Sequence, residues 1–204
     1  GAGVTLALFA LVFPLSLPLG FLVTLCANCR FKPVKWLAEA YIFVMRGTPL
    51  MLQLFFFYYG LPFLPGIGQY LRLSSFAAAA LSFTLNYAAY FAEIFRGGLL
   101  SIDRGQYEVS HVLGLTSFQT MTRIIIPQMI RVTLPSIGNE AITLVKDTAL
   151  VASIALPELL HYAKGIVTRD FTTTPFIVAA FIYLLITFVV TVLFKFAERK
   201  TNYE

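Results

Sequence analysis

The chain has 204 residues, 58% of them hydrophobic and only 12% charged, with a formal net charge of +5 and a mean hydropathy of +0.80. A soluble globular domain carries about 25% charged residues, so that class is excluded, and several uncharged runs of about 20 residues mark a polytopic helical membrane protein. A membrane β-barrel would show alternating segments of about 10 residues instead, and Lys and Arg at cytosolic helix ends account for the positive charge without nucleic acid.

The first predicted element is a membrane helix over Gly1 to Cys29, which holds no charged residue and can kink at Pro14 and Pro18. Arg30, Lys32 and Lys35 follow and place that end in the cytosol. Cys26 and Cys29 form a C-x-x-C with no second pair and no nearby His, which reads as ordinary reduced thiols. No basic start with a small-residue cleavage site is present, and the opening on Gly1 without Met is read as a few missing native residues. Lys35 to Met45 is helical, with Trp36 and Tyr41 suited to the interface. Arg46-Gly47-Thr48-Pro49 opens a second span that ends near Pro62 and Pro65, Pro being tolerated in a first helical turn. Leu61 to Ser75 is a short outer loop. Phe76 to Phe95 is the third span, with Arg96 and Arg104 at its inner end.

Gly105 to Pro127 is the longest water-compatible stretch. Gln106 to Val112 suits one short helix, Gly114 lets the chain turn without a Cβ penalty, and Thr116 or Ser117 can cap a second helix beginning near Phe118. Two short helices at an angle make a plug for a groove, with Glu108 offered to an Arg on a partner. A fourth, irregular apolar segment starts at Ile124, with Pro127, Pro135 and Gly138 along it. Leu150 to Ala163 is a short helix broken at Pro157, Phe171 to Thr174 a turn, and Pro175 to Phe194 the last span. Lys195, Arg199 and Lys200 hold the C-terminus inside. The expected architecture is an all-α integral membrane protein over residues 1–204 as one domain. It has about five transmembrane helices, its N-terminus outside and its C-terminus cytosolic.

The fourth segment carries Arg131, Glu140, Lys146 and Asp147. An ionisable side chain at the bilayer centre costs about 2.5–3.5 kcal/mol, so these must pair, lie near the ends, or face protein or water. Gln128, Arg131, Pro135, Asn139, Thr143 and Lys146 recur every three or four residues and share a face. That face suits a water-lined path or a seam with another subunit, and an internal helix–helix contact is the alternative. Asn86, Tyr90 and Glu93 repeat the pattern in span three, with Arg96 placed to pair with Glu93. Broken helices in transporters put their ends at the substrate, and Gly138-Asn139 and Lys146-Asp147-Thr148 are the candidate breaks. A zwitterionic solute could then use Asp147 for its ammonium and a helix N-terminus for its carboxylate. Asn86, Tyr90, Asn139, Asp147 and Thr148 are the candidate substrate residues.

No phosphate-binding glycine loop, H-E-x-x-H or G-x-S-x-G occurs, and His111 and His161 lack metal-ligand spacing. No catalytic residue, metal site or cofactor is expected in this chain. Energy from ATP would have to enter through a partner.

The segments RGTPLMLQLFFFYYGLP after Met45, LNYAAYFAEIFRGGLLSIDRGQYE, VLGLTSFQTMTRIIIPQ and LPSIGNEAITLVKDTALVASIALPELL resemble the permease subunit of polar-amino-acid ABC importers, the histidine/glutamine/arginine type. The likeness runs in order along nearly the whole chain. Gly105 to Pro127 resembles the EAA loop of importer permeases, with Glu108, Gly114, Ile124 and Pro127 in register. Val109 and Ser110 stand where small residues are usual, Ile126 where Leu is, and Ala149 where Ser is. The resemblance implies a type I importer fold with Gln106, Glu108, Gly114, Leu115 and Thr116 as the ATPase-coupling residues. It implies a cytosolic ABC ATPase dimer carrying ATP and Mg, a second permease copy or homologous permease, and an extracytoplasmic amino-acid-binding protein. The setting would be the lipid bilayer of a bacterial cytoplasmic (inner) membrane. The alternative from another class is an ion-gradient-driven secondary transporter or channel subunit, with Glu140 on the ion route.

Overall fold

The computed structural model describes residues 1–202, and among them there are helices and turns but no strand. Helix α1 covers Ala2–Ala27 and α2 covers Lys32–Gly47. Helix α3, Leu50–Phe55, runs on through a π-helical turn at Phe56–Gly60. The long central helix is α4, Ser75–Ser101, followed by the short helices α5, Arg104–Val112, and α6, Ser117–Thr120. Helix α7 is Ile126–Asp147, α8 is Leu159–Asp170 and α9 is Thr174–Asn202.

By length and composition α1 and α9 can each cross a membrane alone, and the α2–α3 pair, bent by 104°, makes a third candidate. Helices α4 and α7, with 27 and 22 residues, match the roughly 20 residues a bilayer needs. Their polar side chains are what lower their hydropathy. These five units correspond to the expected spans. The second differs in bounds: the helical stretch expected over Lys35 to Met45, ahead of a span opening at Arg46, is α2, one half of the bent pair; it packs on α1 and α4, and its Tyr41 hydroxyl donates to the Leu85 carbonyl.

Helix α4 is the axis of the bundle, packed by α1, α2, α3 and α7. Small residues allow this. Ala78, Ala79, Ala88, Ala89 and Ala92 are fully buried along it, and without a hydrophobic drive in lipid, close backbone approach is what holds helices together. A Cβ on Gly20 of α1 would lie 2.7 Å from the Phe91 Cβ and 2.8 Å from the Ala88 carbonyl. Two buried hydroxyls cross the same seam. Ser16 Oγ donates to the Val12 and Thr84 carbonyls at 2.7 and 3.3 Å, and Thr24 Oγ1 to the Gly20 and Ala92 carbonyls at 2.9 Å each. The outward face of α9 is apolar, with Phe181, Leu184, Phe188 and Phe196 exposed, as lipid contact requires.

The fourth segment is regular where irregularity was expected. Pro127 sits in the first turn of α7, Pro135 lies inside it, and the helix continues through Gly138 and Asn139. Gly138 marks a close approach, since a Cβ there would meet the Phe194 ring at 3.1 Å. The change of geometry comes later, where α7 tightens into a 3-10 run at Thr148–Ile154. Glu158, wholly buried, then caps α8: its carboxylate accepts from the Leu160 and His161 amides at 2.8 and 2.7 Å and from the Tyr183 hydroxyl at 2.7 Å.

Candidate functional site

A cavity of about 410 Å³ lies where the α2–α3 bend meets α4 and α7. The bend breaks the backbone ladder at Gly47-Thr48-Pro49. Carbonyls at a helix end lose their partners, and at membrane depth they must find others. Gln53 and Asn86 supply them. Gln53 Nε2 donates to the Met45 carbonyl and the Thr48 hydroxyl at 2.8 Å each and to the Thr48 carbonyl at 3.2 Å. Asn86 Nδ2 donates to the Met45 carbonyl at 2.9 Å and to Gln53 Oε1 at 3.0 Å. The bend is thereby stapled to α4, and Arg46 is held at the cavity wall.

Three charged side chains face this space: Arg46 from α2, and Glu140 and Asp147 from α7. Asp147 is fixed by the buried Tyr87, whose hydroxyl donates to Oδ2 at 2.7 Å. The Arg46 guanidinium stands over the Tyr90 ring, 5.5 Å from its centroid, and 3.4 Å from Glu93 Oε2. Glu93 also pairs with Arg96 at 2.7 and 3.0 Å, the local ion pair expected from their spacing. The cavity therefore offers one cation and two anions beside the buried Tyr87 and the half-buried Tyr90.

Of the candidate substrate residues, Asn86, Tyr90 and Asp147 line the cavity together. Asn139 and Thr148 do not. Asn139 is exposed, and only its carbonyl is engaged, by the Thr143 hydroxyl at 3.0 Å. Thr148 is fully buried at the start of the 3-10 run, and its hydroxyl donates to Val145 O in the last turn of α7 at 2.7 Å. The periodic stripe of α7 explains the split. Arg131, Pro135, Asn139 and Lys146 lie on the exposed face, whereas Glu140, Thr143 and Asp147 turn to the cavity. Arg46 and Tyr87 were missed. The available signal was the Gly-Thr-Pro break itself, which sets the residue before it at a helix end inside the bundle.

The second site is the α5–α6 loop. Gly114 has φ +72. The Leu115 amide reaches back to the Ser110 carbonyl and the Gly114 amide to His111 O, both at 3.0 Å, a Schellman ending for α5. Thr116 caps α6 in a capping box with Gln119. Glu108 is exposed, and Val109, Val112, Leu113 and Phe118 are exposed apolar side chains beside it. Gln106 Oε1 accepts from Gln128 Nε2 at 3.3 Å, which ties the loop to the start of α7. The expected coupling residues Gln106, Glu108, Gly114, Leu115 and Thr116 thus fall in one compact knob. Among the described residues no group of three metal-ligating side chains gathers.

Residues 5–203 match the family described as binding-protein-dependent transport system inner membrane component. The chain is 37% identical to the arginine transport system permease protein ArtQ of Bacillus subtilis (strain 168), over 98% of this chain and 90% of that one. It is 39% identical to the octopine transport system permease protein OccM of Rhizobium radiobacter, over 97% and 83%. A solved structure, described as the crystal structure of an amino acid ABC transporter with histidines, superposes with a TM-score of 0.88 at 34% identity, covering 98% of this chain and 92% of that chain. The ABC-importer reading therefore stands over the gradient-driven alternative, and the ATPase of such systems is a separate chain. With its axis at α4, its stapled bend and its knob between α4 and α7, the chain belongs to the binding-protein-dependent transport system inner membrane components, among the permease subunits of amino-acid ABC importers.

Proposed function

We propose that residues 1–204 act as one permease domain, and that its cavity carries an amino acid with a cationic side chain across the bacterial cytoplasmic (inner) membrane. The observation that carries this reading is the charge set of the cavity, Arg46 facing Glu140 and Asp147. A zwitterion matches Arg46 with its carboxylate and one acid with its ammonium. The second acid then calls for a further cation, because a half-buried carboxylate without a partner is costly. A relative that transports arginine agrees with that balance. In this reading Asn86 and Tyr90 shape the wall, Thr148 anchors the turn after Asp147 through its bond to Val145 O, and Asn139 belongs to the exposed α7 face, where a second permease copy or a homologous permease packs.

The drive comes from a cytosolic ABC ATPase pair, which carries ATP and Mg, docked on the α5–α6 knob. Val112, Leu113 and Phe118 give that contact an apolar centre and Glu108 a charged rim. An extracytoplasmic binding protein delivers the solute to the opposite face, with the N-terminus outside and the C-terminus cytosolic. The test is equilibrium binding of L-arginine and L-glutamine to the purified complete transporter. Asp147→Asn keeps an acceptor for the Tyr87 hydroxyl and removes only charge. Hydrogen bonds to charged groups are worth about 1.5–3 kcal/mol, so arginine affinity should fall roughly 10- to 150-fold. Glu140→Gln should weaken arginine more than glutamine. Unchanged arginine binding in both variants would overturn the assignment.

A further inference from the structure

A second cavity of about 420 Å³ adjoins the first, among α1, α2 and α4, and its polar lining includes Asn28, Lys35, Glu39, Glu93 and Arg96. Arg46 is in the wall of both cavities. Along α4, Tyr90 borders the first and Arg96 the second. At about 1.5 Å per residue this is a step of about 9 Å towards the end that bears the coupling knob. The order along the bundle is therefore first cavity, Arg46, second cavity, knob.

Arg46 is held loosely there. The carboxylate it pairs with, Glu93, stands 3.4 Å away and is already engaged through both oxygens by Arg96. It also stands over the Tyr90 ring, on the side of the first cavity, whose lining it shares with Glu140 and Asp147. We infer that Arg46 is the partition between the two cavities, and that a solute carboxylate entering the first cavity takes its guanidinium from Glu93. Glu93 gives it up at little cost because Arg96 still neutralises it. A solute carboxylate can take both guanidinium edges in the bidentate geometry that makes such pairs strong. Arg46 then leaves the wall of the second cavity, and the two spaces join into one route towards the knob. Occupancy thereby removes one side-chain barrier on the ATP-driven route. Glu93 and Arg96 are positioning residues here, acting on the solute only through Arg46.

This inference rests on the cationic amino-acid reading of the first cavity, and agmatine, which is arginine without its carboxylate, separates the two. Binding of L-arginine and of agmatine is measured on the complete transporter in lipid nanodiscs. Glu93→Gln removes the competitor for Arg46, so arginine should bind about two- to fivefold more tightly, as fits a partly exposed ion pair, while agmatine stays unchanged. Arg96→Gln frees Glu93 to hold Arg46 more firmly and should weaken arginine by a similar factor, again without effect on agmatine. If Glu93→Gln fails to assemble, the Arg96→Gln result alone decides. Equal shifts for both ligands, or none for arginine in an assembled variant, overturn the partition. Arginine binding that ignores both Asp147→Asn and Glu140→Gln overturns the first-cavity reading and the partition with it.

Discussion

Replacing Gln53 with Leu tests whether the α2–α3 bend is held by side chains. The two residues have similar volume, so the change removes polar atoms and little else. The donor to the Met45 carbonyl and to the Thr48 carbonyl and hydroxyl is lost, together with the acceptor 3.0 Å from Asn86 Nδ2. Some groups keep other partners. Asn86 still donates to the Met45 carbonyl at 2.9 Å, and the Thr48 hydroxyl still donates to Val44 O at 2.8 Å. One Asn86 N–H, on a residue only 4% exposed, is stranded. Leaving a buried donor unpaired costs about 1–3 kcal/mol, so Gln53→Leu should destabilise the permease by about 2 kcal/mol. Asn86→Leu strands Gln53 Oε1 in the same way. Interhelical hydrogen bonds in membrane proteins couple by about 0.6 kcal/mol on average and about 1.7 at most, so the double variant should cost about 1 kcal/mol less than the sum. The assay is a double-mutant cycle on unfolding of the purified protein in mixed micelles. Costs that add to within about 0.3 kcal/mol would mean the two amides do not form one staple.

Two further outcomes follow from backbone geometry. Gly114→Val forces a β-branched residue to φ +72, at about 1–2 kcal/mol of strain, and should loosen the α5–α6 knob. The ATPase should then co-purify poorly or hydrolyse ATP without uptake, and normal co-purification with normal uptake would count against the docking role. Gly20→Leu drives a side chain into Phe91 and the Ala88 carbonyl, both under 3 Å from its Cβ, and should abolish folded protein. Gly97→Ala, on α4 with nothing within 4 Å, should leave thermal stability unchanged or raised. Similar yields for the Gly20 and Gly97 variants would show that α1 and α4 do not need their close approach.

The knob was legible because single residues dictate its backbone. A positive φ suits Gly114, and the Thr116–Gln119 pair writes a capping box into four letters. The cavity was half legible. Asn86, Tyr90 and Asp147 stand out as polar groups at depth, where each needs a reason. Asn139 reads as a site residue from the periodic stripe and a break at Gly138-Asn139, but α7 runs unbroken through both residues and most of that stripe is exposed, with Thr143 alone of it lining the cavity. The burial of Thr148 is not legible locally, since its hydroxyl is spent on Val145 O of the preceding turn. Arg46 reads from the sequence only as the opening of a span, because the Gly47-Thr48-Pro49 break marks a helix end but not the 104° angle between the helices that flank it. The partners of Gln53 become visible only once that bend has orphaned particular carbonyls.

Ser16 and Thr24 fasten α1 to α4 through main-chain oxygens at Thr84 and Ala92, and every amino acid at those two sites would still present such an oxygen. The registry of the two helices is thus insulated from the chemical identity of what stands at 84 and 92. Mutational drift there can reshape bulk or polarity without erasing the marks by which the first helix finds its level on the second.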